Sequence, residues 1–248
     1  MRFAVLSDIH GNLPALTAVL ADVKRRGITQ WINLGDILSG PLWPRETAEL
    51  LMTLAVVTIR GNHERQLLAC AAQPGNPSDQ YAFESLDTRH LTWLRNLPAT
   101  CWLAPDVYLC HGQPTDDLNY LLEDVEHGMT VVPPNETLME RISGVKASLV
   151  LCGHSHLPRI VQLTNDMLLV NPGSVGLQAY DDDAIAPHLV QNHSPHARYA
   201  ICERQDEHWL ISQCAIPYDW DAAARQAEHN GRPDWAYSLR TGRATFPS

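Results

Sequence analysis

Short apolar runs alternate with helical patterns through the first third of the chain, and this alternation restricts the possible fold more than any other feature. It predicts strands over Phe3–Ser7, Trp31–Leu34 and Ala55–Ile59. Helices over Leu13–Arg26 and Arg45–Thr53 separate these strands. Such repetition is typical of a parallel sheet with helices on its faces. The sequence therefore predicts the α/β fold class.

Strands predominate in the rest of the chain. A helix at Glu64–Ala72 and a break at residues 73–77 come first, followed by one long helix over Asp79–Asn96 that ends before Pro98. Further strands are predicted at Thr100–Leu103, Val107–Cys110, Ser148–Cys152, Arg159–Leu163, Met167–Val170, Arg198–Glu203 and Trp209–Ile216. Two last helices are predicted at Ala222–His229 and near Trp235–Leu239.

The segment Asp181–Ala197 is polar and contains Pro187, Pro195 and three histidines. Its composition predicts a surface loop, because such segments lack the apolar residues that a packed element needs. A metal-binding role for His188, His193 and His196 is the less favoured alternative.

Composition and charge exclude several classes of protein. The 248 residues carry a formal net charge of −10, with no basic patch for long nucleic acid. An anionic small molecule is still compatible, because bound divalent cations reverse the field of a site. No apolar run approaches the roughly 18 residues of a membrane span, and the N-terminus lacks a signal peptide's features, so we expect a cytoplasmic protein. The six cysteines form no CxxC pair, which predicts reduced core thiols rather than a zinc–thiolate site.

Five predicted strands end in a polar cluster that contains metal-binding side chains. The clusters occupy residues 7–12 (SDIHGN), 34–36 (LGD), 60–64 (RGNHE), 110–112 (CHG) and 152–156 (CGHSH). Open α/β sheets place ligand sites at the carboxyl ends of their strands. A single histidine after a strand is usually structural, but five clusters in one chain favour a metal centre.

The spacing within these clusters supports that interpretation. Asp8 and His10 are two residues apart, so in extended backbone both side chains leave the same face, and His154 and His156 repeat the pattern. Glycines that let the backbone turn sharply lie beside the clusters at Gly11, Gly35, Gly61, Gly112 and Gly153. Cys110 and Cys152 are predicted to pack in the core.

The order of these motifs resembles the signature of the calcineurin-like metallophosphoesterase superfamily over residues 8–156. The string 171–176 (NPGSVG) and the closing segment 216–242 extend the likeness to its small bacterial and archaeal phosphoesterases. The resemblance implies one domain over residues 1–248. It also implies a four-layer αββα sandwich, with two mixed β-sheets flanked by helices and the metals at one edge.

The resemblance also implies a complete set of metal ligands. One ion would be held by Asp8, His10, Asp36 and His156. The second would be held by Asp36, Asn62, His111 and His154, with Asp36 as the bridge. Nitrogen and oxygen donors without thiolate suit two transition-metal ions, manganese, iron, cobalt, nickel or zinc, better than calcium or magnesium.

Such a centre predicts hydrolysis of phosphate esters. Two ions about 3.5–4 Å apart clamp phosphate oxygens and generate a bridging hydroxide at neutral pH. In the family, the histidine at the position of His63 is the proposed proton donor to the leaving group. Glu64 either orients His63 or caps the following helix.

The substrate class follows from what the chain lacks. The segment after Asp36 has no arginine of the Asp-Arg-Gly type, which protein Ser/Thr phosphatases and diadenosine tetraphosphatases use to hold a phosphate. Arg60 is a candidate substrate contact, or it only supports the fold. We therefore expect a phosphodiester or nucleotide-type small molecule. The alternatives are a protein Ser/Thr phosphatase, a dinucleoside polyphosphate hydrolase, and a non-catalytic metal- or nucleotide-binding module.

Overall fold

A computed structural model describes residues 1–246. The strands in this part of the chain are β1 (Arg2–Leu6), β2 (Trp31–Asn33), β3 (Val57–Thr58), β4 (Cys101–Ala104), β5 (Val107–Leu109), β6 (Asp124–Glu126), β7 (Met129–Val131), β8 (Leu149–Leu151), β9 (Arg159–Gln162), β10 (Leu168–Asn171), β11 (Ala179–Asp182), β12 (His188–Gln191), β13 (Ala197–Gln205) and β14 (His208–Ile216). The helices are α1 (Leu13–Arg25), α2 (Pro44–Met52), α3 (Asn62–Ala69), α4 (Pro77–Ser85), α5 (Thr88–Arg95), α6 (Asn135–Arg141), α7 (Trp220–His229) and α8 (Pro233–Thr241).

Two five-stranded mixed sheets form the centre of the molecule. The first has the order β14-β13-β1-β2-β3, in which β1, β2 and β3 are parallel and β13 runs antiparallel to β1. The second has the order β4-β5-β8-β10-β9, in which β5, β8 and β10 are parallel. The hairpins β6–β7 and β11–β12 form two small additional sheets.

Apolar side chains pack the two sheets face to face. Alternate residues of β1, such as Phe3 and Val5, meet Leu109 and Leu151 of the second sheet in one buried cluster. The other face of β1 packs against α1 and its neighbouring helices, and the outer face of the second sheet packs against α6. This arrangement of helix, sheet, sheet and helix confirms the predicted αββα sandwich.

Local signals in the sequence set the first helix beside the site. Asn12 accepts a hydrogen bond from Ala15 N and so caps α1, and Pro14 occupies the first turn, where a missing N–H is tolerated. The buried face of α1 carries Leu16 and Val19. Burial of that face against the first sheet fixes the loop between β1 and α1, which contains two of the predicted metal ligands.

The single long helix predicted over Asp79–Asn96 is wrong, because two helices occupy this segment. The first, α4, ends at Ser85 after Asn76 has capped its start. Asp87 then adopts extended backbone and accepts hydrogen bonds from Arg89 N and His90 N, which starts α5. A capping aspartate in the middle of a periodic apolar pattern is the signal that the periodicity obscured.

The predicted surface loop at Asp181–Ala197 is also partly wrong. Its first half completes the hairpin β11–β12, in which His188 is fully buried, with Nδ1 donating to Ala186 O and Nε2 lying 2.9 Å from Tyr120 Oη. The two groups of potential metal ligands found in residues 1–246 include none of the three histidines of this segment. Strands β6 and β7, of three residues each, and helix α6, of seven residues, were not predicted, because elements this short show no clear hydrophobic periodicity.

The cysteines behave as predicted. All six are free thiols, and Cys110 and Cys152 are buried in the cluster behind the second sheet. Burial raises the pKa of Cys110 to about 12, so this thiol does not ionise at neutral pH. No helix within residues 1–246 has the length and apolar character that crossing a membrane requires.

Candidate metal centre

The five polar clusters meet at one edge of the sandwich. Loops that leave the parallel strands β1, β2 and β3 of the first sheet face loops that leave β5 and β8 of the second. Because the carboxyl ends of parallel strands share an edge, side chains far apart in sequence come together there. The residues brought together are Asp8, His10, Asp36, Asn62, His63, His111, His154 and His156.

Backbone conformation at this edge differs from the extended geometry that the spacing predicted. Strand β1 ends at Leu6, and Asp8 and His10 adopt left-handed backbone with φ of 54° and 52°. The residues Asp36, His154 and His156 do the same, with φ of 53°, 68° and 58°. Left-handed backbone costs about 1–2 kcal/mol for each residue with a Cβ atom. Strain concentrated in five residues of one cluster marks this edge as a functional site.

Two glycines allow the clusters to pack closely. A Cβ atom at Gly61 would collide with Asp36 Oδ1 and lie 2.8 Å from His111 Cε1. A Cβ atom at Gly153 would collide with Ser7 Oγ and lie 3.0 Å from Asp8 Oδ2. Neither glycine has a positive φ in this structure, so the reason for glycine here is close approach rather than the sharp turn that the sequence suggested.

The first group of potential ligands consists of Asp8, His10 and His156. His10 Nδ1 donates to Ser39 O at 2.8 Å, and His156 Nδ1 donates to Leu177 O at 2.7 Å. In a neutral imidazole the other nitrogen, Nε2, is then an acceptor. The two Nε2 atoms nevertheless face each other at 3.1 Å, and His156 Nε2 lies 3.5 Å from Asp8 Oδ1.

The second group consists of Asp36, His111 and His154, with Asn62 beside it. His111 Nδ1 donates to Leu34 O at 2.8 Å, which leaves Nε2 3.1 Å from Asp36 Oδ2 and 3.1 Å from Asn62 Oδ1. His154 donates through Nε2 to Leu118 O at 2.9 Å, so its Nδ1 is the free nitrogen. The groups adjoin, since His111 Nε2 is 4.0 Å from Asp8 Oδ1.

This chemistry fits divalent cations. The acceptor nitrogens of His10 and His156, which face each other, repel one another unless a cation lies between them. The buried Asp8 Oδ2 also has no hydrogen-bond partner among the described residues. The backbone carbonyls that hold the imidazoles fix the tautomers that metal binding requires.

Burial favours the neutral form in two of the proposed ligand histidines. At a third, His111, Asp36 outweighs burial and raises the pKa to about 10, so a cation would have to displace its proton. Burial lowers the pKa of His10 to about 4 and that of His154 to about 4, so both imidazoles are neutral at neutral pH, as ligands must be. Burial raises the pKa of Asp8 to about 7, because its charge lacks compensation. A bound cation would supply that compensation.

His63 lies beside the metal-binding groups and forms a dyad with a residue that sequence reasoning missed. Its Nδ1 is 2.9 Å from Oδ1 of the buried Asp79 at the start of α4, and its backbone N–H donates to Asp36 Oδ1 at 3.0 Å. Burial lowers the pKa of His63, but Asp36 and Asp79 raise it more, to about 9. The imidazole therefore carries a proton at neutral pH. No sequence pattern connects residues 63 and 79, which belong to different helices.

Glu64 caps backbone groups rather than orienting His63. Its carboxylate accepts hydrogen bonds from Gly61 N at 2.7 Å, Asp36 N at 2.9 Å and Ile37 N at 2.8 Å. The first of these contacts caps α3, and the other two hold the loop after β2. Of the two roles that the sequence left open for Glu64, the contacts favour helix capping.

A cavity of about 950 Å³ opens over this edge. His10, Asp36, Asn62, His63, His154 and His156 form its floor. Its wall includes Ser39, Tyr180, Arg232 and Trp235, none of which the sequence marked. Arg60 does not line the cavity; its backbone N–H donates to Pro98 O, and its Nε has no partner among residues 1–246.

Comparison with known proteins identifies the family. The sequence pattern of the calcineurin-like phosphoesterase family matches residues 1–158, which is more than half of the chain. The chain therefore belongs to this family of metallophosphoesterases, whose members depend on divalent metal ions.

Proteins similar over the whole length support this assignment. An uncharacterised protein of Methanocaldococcus jannaschii is 28% identical over 258 residues, which cover 94% of each chain. The crystal structure of a metallophosphoesterase from Sphaerobacter thermophilus superposes with a TM-score of 0.74 at 23% identity, over 96% of this chain and 98% of that one. A hypothetical protein from Pyrococcus horikoshii OT3 gives 0.73 at 20% identity, over 98% and 99%. These structures show that the fold is shared.

Proposed function

We propose that this protein is a metal-dependent hydrolase of phosphodiesters or nucleotide-type small molecules. The observation that carries the proposal is the pair of adjoining groups of potential metal ligands. In the first group the Nε2 atoms of His10 and His156, both hydrogen-bond acceptors, face each other 3.1 Å apart, and the protonated His63 lies beside them. Two transition-metal ions would neutralise this arrangement. The proposed ligands are Asp8, His10, Asp36, Asn62, His111, His154 and His156.

Divalent ions bound there would clamp phosphate oxygens and lower the pKa of a water molecule, which supplies the nucleophile. The chain's own residues hold the ions and the substrate in place. One oxygen of Asp36 accepts a hydrogen bond from His63 N, and the other lies beside His111 Nε2. Asp36 therefore connects His63 with the metal-binding groups. Asn62 donates to Gln66 Oε1 at 3.2 Å, which turns its own Oδ1 toward the site.

His63 is the proposed general acid for the leaving-group oxygen. Asp79 accepts a hydrogen bond from Nδ1–H, which leaves Nε2 as the nitrogen that a substrate can reach. His63 is one-quarter exposed and lines the cavity, whereas Asp79 is buried beneath it. This arrangement resembles other acid–base pairs in which a buried carboxylate fixes the imidazole.

The charges around the cavity support a small ester rather than a polyphosphate or a phosphoprotein. Arg232 is the one guanidinium among the lining residues that the structure describes, and Asp234 already binds it. Arg60, the other candidate for binding a phosphate group, does not line the cavity. A dinucleoside polyphosphate hydrolase or a protein phosphatase therefore has less support.

A substrate panel tests the proposal. The protein is stripped of metal, loaded with Mn²⁺ and assayed with bis-p-nitrophenyl phosphate and p-nitrophenyl phosphate, then with dinucleotides, a dinucleoside tetraphosphate and a phosphopeptide. We expect metal-dependent hydrolysis, with the diester and the dinucleotides preferred. Faster turnover of the tetraphosphate or the phosphopeptide would favour the alternatives, and no hydrolysis of any substrate would favour a binding module.

A further inference from the structure

The cavity wall that rises from the metal centre has its own chemistry. We propose that this wall binds the organic part of the ester and selects organic groups without negative charge, an inference that rests on the proposed function. The wall is built by β11, the residues that follow it, α8 and residues 244–246. These parts lie outside residues 1–158, so the wall, apart from Ser39, is separate from the part of the chain that matches the family pattern.

The wall is aromatic next to the proposed metal ligands. The ring of Tyr180 lies 4.6 Å from that of His156, and the ring of Trp235 lies 5.9 Å from that of His10, both edge to face. Further out, Tyr237 and Phe246 line the same cavity and are exposed. An organic group esterified to a phosphate on the ions would therefore contact aromatic surface directly.

Hydrogen bonds hold this wall in place without a ligand. Tyr180 Oη donates to His154 O at 3.1 Å and lies 2.8 Å from Tyr120 Oη. Asn192 donates to His156 O at 2.9 Å and to Gln178 O at 3.1 Å. The hairpin β11–β12 is thus fastened to the backbone of two proposed ligands, and the cavity is preformed.

The charge on the wall is negative. Asp181, Asp182 and Asp183 line the cavity, together with Asp234. Arg232 offsets Asp234 but not the other three, because its Nη2 is 2.6 Å from Asp234 Oδ2 and its Nη1 donates to Ser78 Oγ at 2.8 Å. An additional anionic group on the substrate would meet uncompensated carboxylates, whereas a neutral or cationic group would not.

An unpartnered hydroxyl independently indicates a ligand. Ser39 lines the cavity and is 1% exposed, yet its Oγ has no hydrogen-bond partner among the described residues. Its backbone carbonyl accepts from His10 Nδ1, so the residue is fixed beside the proposed centre. A buried hydroxyl without a partner costs about 1–3 kcal/mol, which a substrate oxygen or nitrogen would recover.

Three p-nitrophenyl phosphodiesters with different second alcohols test the selection. The second alcohol is choline (cationic), ethanol (neutral) or 3-hydroxypropionate (anionic), and all three release p-nitrophenolate, so the chemical step is matched. With Mn²⁺-loaded protein at low ionic strength, we expect kcat/KM for the choline ester to exceed that for the anionic ester by about 10-fold or more. This ratio should shrink at about 0.5 M salt.

Variants assign the effect to the wall. Asp181→Asn/Asp183→Asn should reduce the ratio between the cationic and anionic esters to less than about 3-fold. The matched control, Asp206→Asn/Glu207→Gln, removes the same charge from the β13–β14 turn, beyond the opposite end of β1, and should keep the ratio. Ser39→Ala should raise KM by about 5-fold or more with the melting temperature unchanged, because no protein hydrogen bond is lost.

The outcomes separate this inference from the proposed function. Hydrolysis of all three esters at equal kcat/KM would overturn the inference and leave the proposed function intact, as would a ratio unchanged in the Asp181→Asn/Asp183→Asn variant. No hydrolysis of any ester would overturn the proposed function itself. An unchanged KM in Ser39→Ala would remove Ser39 from the substrate site.

Discussion

His63 Nδ1 and Asp79 Oδ1 lie 2.9 Å apart, although they belong to consecutive helices, α3 and α4, that a glycine- and proline-containing loop separates. Asp79 is 1% exposed, and Asn76 donates a second hydrogen bond to its other oxygen. The carboxylate is therefore held in place and in turn holds the imidazole. This geometry gives His63 a role distinct from that of its neighbour Asn62, which faces His111.

His63→Ala should keep the fold and the bound metal but lose rate. We expect kcat to fall by roughly 10²–10⁴ for substrates with poor leaving groups, the usual contribution of a positioned acid. Since protonation helps only in the transition state, KM should change little. The loss should be smaller for p-nitrophenolate esters, whose leaving group needs no proton. Equal losses for good and poor leaving groups would contradict the acid role, and an unstable variant would indicate a packing role.

Asp79→Asn should cause part of the same loss in kcat, although Asp79 does not contact the substrate. The amide cannot stabilise an imidazolium, so we expect kcat to fall by about 10–100-fold for poor leaving groups and less for good ones. Glu84→Gln, an exposed carboxylate on the same helix, is the matched control and should leave kcat unchanged. A uniform loss across leaving groups in Asp79→Asn would show that Asp79 acts only through stability.

Glu64→Gln should destabilise the metal-free protein. The buried carboxylate accepts three backbone N–H groups, and an amide presents its own N–H to at least one of them. The variant loses a charged acceptor, and one buried backbone N–H is left without a partner. Together these effects predict a decrease of about 2–4 kcal/mol in the free energy of unfolding. Urea denaturation measures it, again with Glu84→Gln as the control. A change below about 0.5 kcal/mol would mean that the loop after β2 does not depend on Glu64.

Strand periodicity predicted the α/β class, and the common edge of parallel strands predicted that the five clusters meet. The αββα sandwich was implied only by the resemblance to the family. The sequence could not predict the backbone of Asp8 and His10, whose left-handed conformation depends on contacts with the loop after β2. Asp79 and Ser39 were missed for a similar reason. Their importance lies in what they contact or fail to contact, and no local pattern reports such contacts.

Sequence reasoning also failed where a short polar signal competes with a longer pattern. Asp87 divides the helix predicted over Asp79–Asn96, and the buried His188 turns a polar segment into the hairpin β11–β12. The second error lies at the cavity, because residues 181–184 line it. Because polar residues were taken as exposed, the sequence did not identify the residues of this hairpin that form part of the cavity wall.

Asp36→Asn should disturb the metal centre more than a change at any other ligand. Asp36 touches His111 and the backbone of His63, and its charge raises the pKa of His111 to about 10 against the effect of burial. As the proposed bridge it screens the repulsion between two cations. Metal analysis of the purified variant should find both ions lost or reduced. Two ions at wild-type occupancy would show that Asp36 does not bridge.

The most direct test of the two-metal account is a Mn²⁺ titration of chelator-stripped wild-type protein, with bound metal and hydrolysis of bis-p-nitrophenyl phosphate measured on the same samples. We predict saturation at two ions per chain, with activity absent from the stripped protein and rising as the second ion binds. Saturation at one ion per chain, or full activity in the stripped protein, would contradict the account.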